Sequence, residues 1–131
     1  MTTTTWTAYH FTALRVVPHV HTGAFVNVGV VLHARSAEFL GMRAILDERT
    51  LRRLAPDVDV ELLLRYLNCY DAICRGDESA GPIALVSRSE RFHWITAPRS
   101  DVLQPAPVHE GVCMDPGAEL ESLFAGYVQD P

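Results

Sequence analysis

The stretch Ser89–Ser100, SERFHWITAPRS, gathers two arginines, a histidine, a tryptophan and three hydroxyl side chains into one short segment. Taken as part of a strand from Ile83 to Ile95, it alternates: Arg91 and His93 fall on one face, Phe92 and Trp94 on the other. Pro98 ends strand pairing and leaves Arg99 and Ser100 near the strand end, where a guanidinium and a hydroxyl can meet a carboxylate or a phosphate. Arg15 joins them if its strand lies alongside. These residue types at these spacings point to the holding of an anion rather than its cleavage. A structural reading stands beside it and is the commoner fate of such residues: Arg91 would pair with Glu90, Asp101 or Glu110, and His93 would bond a backbone carbonyl.

His109, in PAPVHEG, supplies a second imidazole. If its segment meets that of His93, the two make an acid and base pair, and with Arg91 and Arg99 they would equip a small hydrolase or phosphotransfer enzyme. No nucleophile elbow, P-loop or dinucleotide fingerprint accompanies them. His19 and His21 alternate in a turn and His33 follows on the next strand, but the set lacks a fourth ligand and a surface turn is the simpler reading. Neither a metal nor a cofactor is expected. Cys69, Cys74 and Cys113 form no CxxC pair, and three is an odd number for a disulfide framework, so reduced, buried thiols are expected.

The elements that must position these groups belong to a chain of 131 residues, 48% hydrophobic, which fits one domain, 1–131, with an ordinary core. A formal charge of -5 speaks against nucleic acid or an anionic membrane as a partner, while leaving room for a local basic pocket. All the basic residues are arginine, a bias that base composition of the genome explains before function does. No apolar run reaches the roughly 20 residues of a membrane helix, and the start, MTTTTWTAYHF, has no signal-peptide pattern, so a soluble, cytoplasmic protein is expected.

Trp6–Val17 and Phe25–His33 read as a hairpin around PHVHTGA, with Val26, Val28, Val30 and Leu32 on one apolar face. A third strand follows near Phe39–Leu46. Asp47 caps a short helix to Leu54, and Asp59 caps a longer one to Arg75, ended by Gly76. The apolar stripe of this second helix is wide enough to ask for cover on more than one side, from the sheet and from another helix or a second subunit. Residues 76–82 read as a flexible link and 1–5 as disordered. Val102–Gln104 reads as a strand. A last helix starts at Asp115 and Pro116 and carries Leu120, Leu123, Phe124 and Tyr127 at helical spacing. The sum is an α+β fold: an antiparallel sheet of four to five strands packed against two to three helices.

Three segments, GAFVNVGVVLH, SERFHWITAPRSDVLQ and VHEGVCMDPGAELESLF, together resemble the bacterial family catalogued as domain of unknown function three thousand and thirty-seven. The resemblance spans nearly the whole chain. It implies polar family positions at Asn27, Arg88, Arg91, His93, Arg99, Ser100, His109 and Asp115, with Ala24 standing where an acidic residue is expected. It also implies a neighbour, because members are often encoded beside a HipA-like kinase. The function this points to is an accessory or binding protein without catalysis of its own. It would act with a kinase-like or other protein partner, or as a homo-oligomer, and hold a phosphate-type anion at Arg91, His93, Arg99, Ser100, His109, Asn27 and Arg15.

Overall fold

The computed structural model describes residues 5–19, 24–99 and 102–128. Its frame is one open antiparallel sheet. Strand β1 (Thr7–His19) pairs along its length with β2 (Ala24–Ala34), and β2 pairs with β3 (Phe39–Ala44). The other edge of β1 is shared by two short strands, β4 (Leu103–Pro105) against Leu14–Val16 and β5 (His109–Cys113) against Thr7–Phe11. Thr12, fully buried between them, donates its hydroxyl to the Ala106 carbonyl at 2.6 Å and fixes the link from β4 to β5.

Helices cover the sheet on both faces. On one side lie α1 (Glu48–Leu54), α2 (Val60–Arg75) and α3 (Arg88–Thr96), whose Leu51, Leu63, Leu67, Ile73, Phe92 and Ile95 share a core with Leu14, Val16, Val28 and Val31. On the other side α4 (Pro116–Tyr127) brings Leu120 onto Tyr9, Phe11, Val30 and Leu32. The caps are those written in the sequence: the Asp47, Asp59 and Asp115 carboxylates accept from the amides of Thr50, Leu62 and Ala118. Gly76 closes α2 in the left-handed region at φ 71°. Residues 76–82, expected as a link, run through a 3-10 turn at Glu78–Ala80 and into another at Pro82–Leu85. Of the stretch 1–5, only Thr5 falls within the described residues.

Two expectations are corrected. The alternation of Val26, Val28, Val30 and Leu32 on one face fails because the β1–β2 register shifts between Leu14 and Arg15. This bulge turns Val28 and Val26 toward the three-helix side, while Val30 and Leu32 remain under α4. The strand expected over Ile83–Ile95 is a 3-10 turn followed by α3. Ser87 accepts from the Glu90 amide at 3.2 Å and its hydroxyl reaches the Glu90 carboxylate at 3.2 Å, a start signal that SRSE carried in plain view. Phe92 and Ile95, three apart, then bury one helical face. Among the described residues the α-helices therefore number four, where two to three were expected. The wide stripe of α2 is met largely within the chain, since Leu64, Tyr66 and Cys69 pack against the same core as Leu63 and Leu67.

The cap at Ser87 fixes where α3 begins. Ser87→Ala is expected to lower stability by about 1 kcal/mol, read as a lower urea midpoint with an unchanged slope.

Candidate functional site

The helical state of α3 redistributes the residues of Ser89–Ser100. Arg91, 8% exposed, turns inward, away from any ligand. Its Nη1 donates to the carbonyls of Ile73 at 2.8 Å and Cys74 at 3.1 Å, and its Nε donates to Val86 at 3.1 Å. The last carbonyls of α2 are thus satisfied by a cation, which suits the negative end of the helix dipole. No carboxylate takes part in these bonds. A side chain at Gly76 would sit 3.1 Å from that Nη1, so the residue that ends α2 also leaves room for the guanidinium that caps it.

Arg99 is likewise occupied. Its guanidinium lies 4.6 Å from the Trp94 ring centroid and 5.5 Å from that of Tyr70, and it donates to the Tyr70 hydroxyl and the Trp94 carbonyl. Ser100 lies outside the described residues, as do His21 and the side chain of His19. Arg15 and Asn27 oppose each other across β1 and β2, where Asn27 donates to the Tyr127 carbonyl at the end of α4 and the Arg15 guanidinium covers the Phe25 ring. His109 leans on Phe11, 5.5 Å between centroids, within reach of the α4 core. The described members of the expected set are therefore dispersed, and among them His93 lines the cleft beside α3.

That cleft, of about 780 Å³, opens between the sheet and α3. Ala8 and His10 of β1, His33 at the end of β2, Arg35 and Ser36 of the adjoining 3-10 turn, and Val108 before β5 form one wall. Ser89, Phe92, His93 and Thr96 of α3 form the other. His10 and His33 are opposed in the β1–β2 register, so both imidazoles reach the same face. His10 is half exposed, with the Glu110 carboxylate 3.6 Å away. His33 is 7% exposed and its ring lies at 32° to that of Phe92, 5.3 Å between centroids. Burial pushes its pKa below the ordinary 6.5, and the nearby charges of His10, Arg35, His93 and Arg88 act in the same direction. A chain of formal charge -5 has gathered cations around one cavity.

His10, His33, Arg35, Ser36 and Ser89 did not figure in the expected anion set, and His33 did so only as a metal ligand. The signal that could have found them is the hairpin register combined with the Ser87–Glu90 cap. Among the described residues, no group of three or more His, Cys, Asp or Glu is placed to hold a metal, and no helix is long and apolar enough to cross a membrane. The Cys74 thiol is pushed up to about 12 by burial, which removes it as a nucleophile near neutral pH.

Residues 11–128 match the family described as Protein of unknown function (DUF3037). No curated protein and no solved structure matches the chain.

Two outcomes follow from this geometry. Arg91→Met leaves the Cys74 and Val86 carbonyls without their guanidinium donor, while Ile73 keeps the Gly76 amide, and is expected to cost about 3 kcal/mol, whereas Arg99→Ala loses only stacking and hydrogen bonds near the surface, about 1 kcal/mol. Urea melts of both variants check the contrast. Because the folded protein holds His33 below 6.5, the unfolded chain binds a proton there that the folded chain refuses. Stability should thus fall as the pH drops through 6.5 toward the folded value, and this group should have no effect well above it. Urea titrations across that window, without multivalent anions, should show a smaller loss for His33→Gln than for the natural chain.

Proposed function

We propose that this chain, which belongs to the DUF3037 family, is an accessory binding protein that holds a small phosphate- or carboxylate-type anion in the cleft between β1, β2 and α3. It works with a protein partner. The observation that carries the reading is His33: a nearly buried imidazole on a cavity that His10, Arg35 and His93 also line. Like charges held together in this way repel, and an anion among them relieves the repulsion. The cations that support anion binding are thus not the Arg91 and Arg99 pair of the sequence reading, since both of those are engaged by the protein itself.

The enzymatic alternative, with His93 and His109 as acid and base, has less behind it: His93 lines the cleft, while His109 packs beside Phe11 and is not among its lining residues. Contact with a partner is supported by apolar side chains at the open end of the sheet. Trp6, Val112 and Met114 are each more than half exposed; Val112 is on β5, and Trp6 and Met114 adjoin the paired ends Thr7 and Cys113 of β1 and β5.

A thermal-shift screen with phosphate, sulfate and nucleotides tests the binding. At about ten times Kd an anion stabilises by about 1.4 kcal/mol, or a rise of about 4 °C for a domain of this size. Arg35→Ala and His93→Ala should each reduce the rise, and Arg99→Ala should leave it in place. Silence from every anion at millimolar concentration, or a rise indifferent to Arg35 and His93, would overturn the reading.

A further inference from the structure

Among the described residues, the ring nitrogens of His33 make no hydrogen bond to protein, although the side chain is only 7% exposed. The ring lines the cleft and its nitrogens are not sealed from solvent, so they can take a partner from outside the chain there. The charges that act most on this ring are cations or can become ones: His10 from β1, Arg35 from the turn after β2, His93 and Arg88 from α3. The carboxylate of Glu110 on β5 lies 3.6 Å from His10. In the free protein burial and these neighbours disfavour the protonated ring. An oxyanion arriving in the cleft reverses the balance, because it offers a negative acceptor in a poorly solvated place.

We infer that the cleft takes up its ligand together with one proton, received by His33, and that this ligand is an oxyanion carried on an apolar body. The inference rests on the reading of the cleft as an anion site and adds the ligand class and the proton. The proton comes from solvent to the unprotonated ring nitrogen, the new N–H donates to a ligand oxygen, and no bond of the ligand breaks. The apolar body follows from the walls. Ala8, Phe92 and Val108 share the cleft with the cations, and a volume of about 780 Å³ far exceeds what a bare oxyanion fills. Phe92, its ring tilted at 32° to that of His33, gives this wall an aromatic surface for a ring or chain attached to the acid.

Linkage fixes the direction of the pH effect. Bound ligand raises the affinity of His33 for a proton, so binding tightens as the pH falls through the bound-state value and levels off below the free one, with a limit of about tenfold per pH unit. Benzenesulfonate and methanesulfonate are suitable probes, since both stay singly charged between about pH 5.5 and 8 and differ only in the apolar body. Titration calorimetry should show benzenesulfonate binding at least about tenfold more tightly than methanesulfonate, with affinity rising as the pH falls. Heats in two buffers of different ionisation enthalpy should report an uptake approaching about one proton per ligand. His33→Gln should lose most of that uptake and His93→Gln should keep it.

The outcomes separate the layers. If neither sulfonate nor phosphate binds at any pH, the reading of the cleft as an anion site falls and this inference with it. Binding with no pH or buffer dependence leaves the cleft reading standing and overturns the proton uptake. Equal affinity for the two sulfonates overturns the apolar body. Uptake that survives in His33→Gln and vanishes in His93→Gln overturns the assignment to His33. The buffer comparison uses the natural chain, so it decides the proton question even where a variant is too unstable to assay.

Discussion

The cleft exists because α3 stands where it does, and α3 is held there by a cation spent on backbone. Arg91 reaches from the first turn of α3 into the carbonyl end of α2 and gathers three carbonyl oxygens, from Ile73, Cys74 and Val86. Of these, Ile73 also accepts from the Gly76 amide, so the guanidinium is the side-chain donor that serves Cys74 and Val86, whose loss would carry the cost of orphaned groups. One guanidinium therefore joins the end of α2, the loop before α3 and α3 itself. The hydrophobic contacts of Phe92 and Ile95 then seat the helix against the sheet, and Ser89 and His93, beside Phe92 on the helix surface, line the cavity.

The electrostatics of that cavity depend on two distant pieces of chain. β1 and β2 bring His10 and His33 side by side through their pairing, and the turn that follows β2 adds Arg35 at once. α3 contributes His93 and Arg88 from across the gap. None of these groups is unusual alone. The burial of His33, and next the charges of its neighbours, raise the cost of charging it, and the same neighbours can give an anion a place to rest.

Much of the fold was legible in the sequence where local chemistry and tertiary packing agree. Asp47, Asp59 and Asp115 stop the preceding chain and start helices, Gly76 ends one, and the β-branched runs of β1 and β2 pair as a hairpin. Reading failed where two local signals competed. RFHW alternates like a strand, yet the Ser87 cap and the spacing of Phe92 and Ile95 favour a helix, and the buried bonds of Arg91 settle the contest. Short β5 escaped because HEGVC has no strand length of its own; Gly111 lies under the Tyr9 ring, where any Cβ would come within 2.6 Å of the hydroxyl. The cleft was hidden for a different reason. Its residues come from β1, the turn after β2, α3 and the link to β5, and only the register of the sheet and the rotation of α3 place them together.

The bulge in β2 has a meaning beyond geometry. A strand normally reports its environment with a period of two, but here the shift opposite Leu14 and Arg15 divides a single valine-rich run between two sets of neighbours. Val26 and Val28 answer to the three-helix side, Val30 and Leu32 to α4. The side chains tolerated at these positions should therefore co-vary in two independent groups although they are contiguous in sequence. A deletion of one residue at the bulge would not merely shorten the strand; it would exchange the allegiance of everything on one side of it.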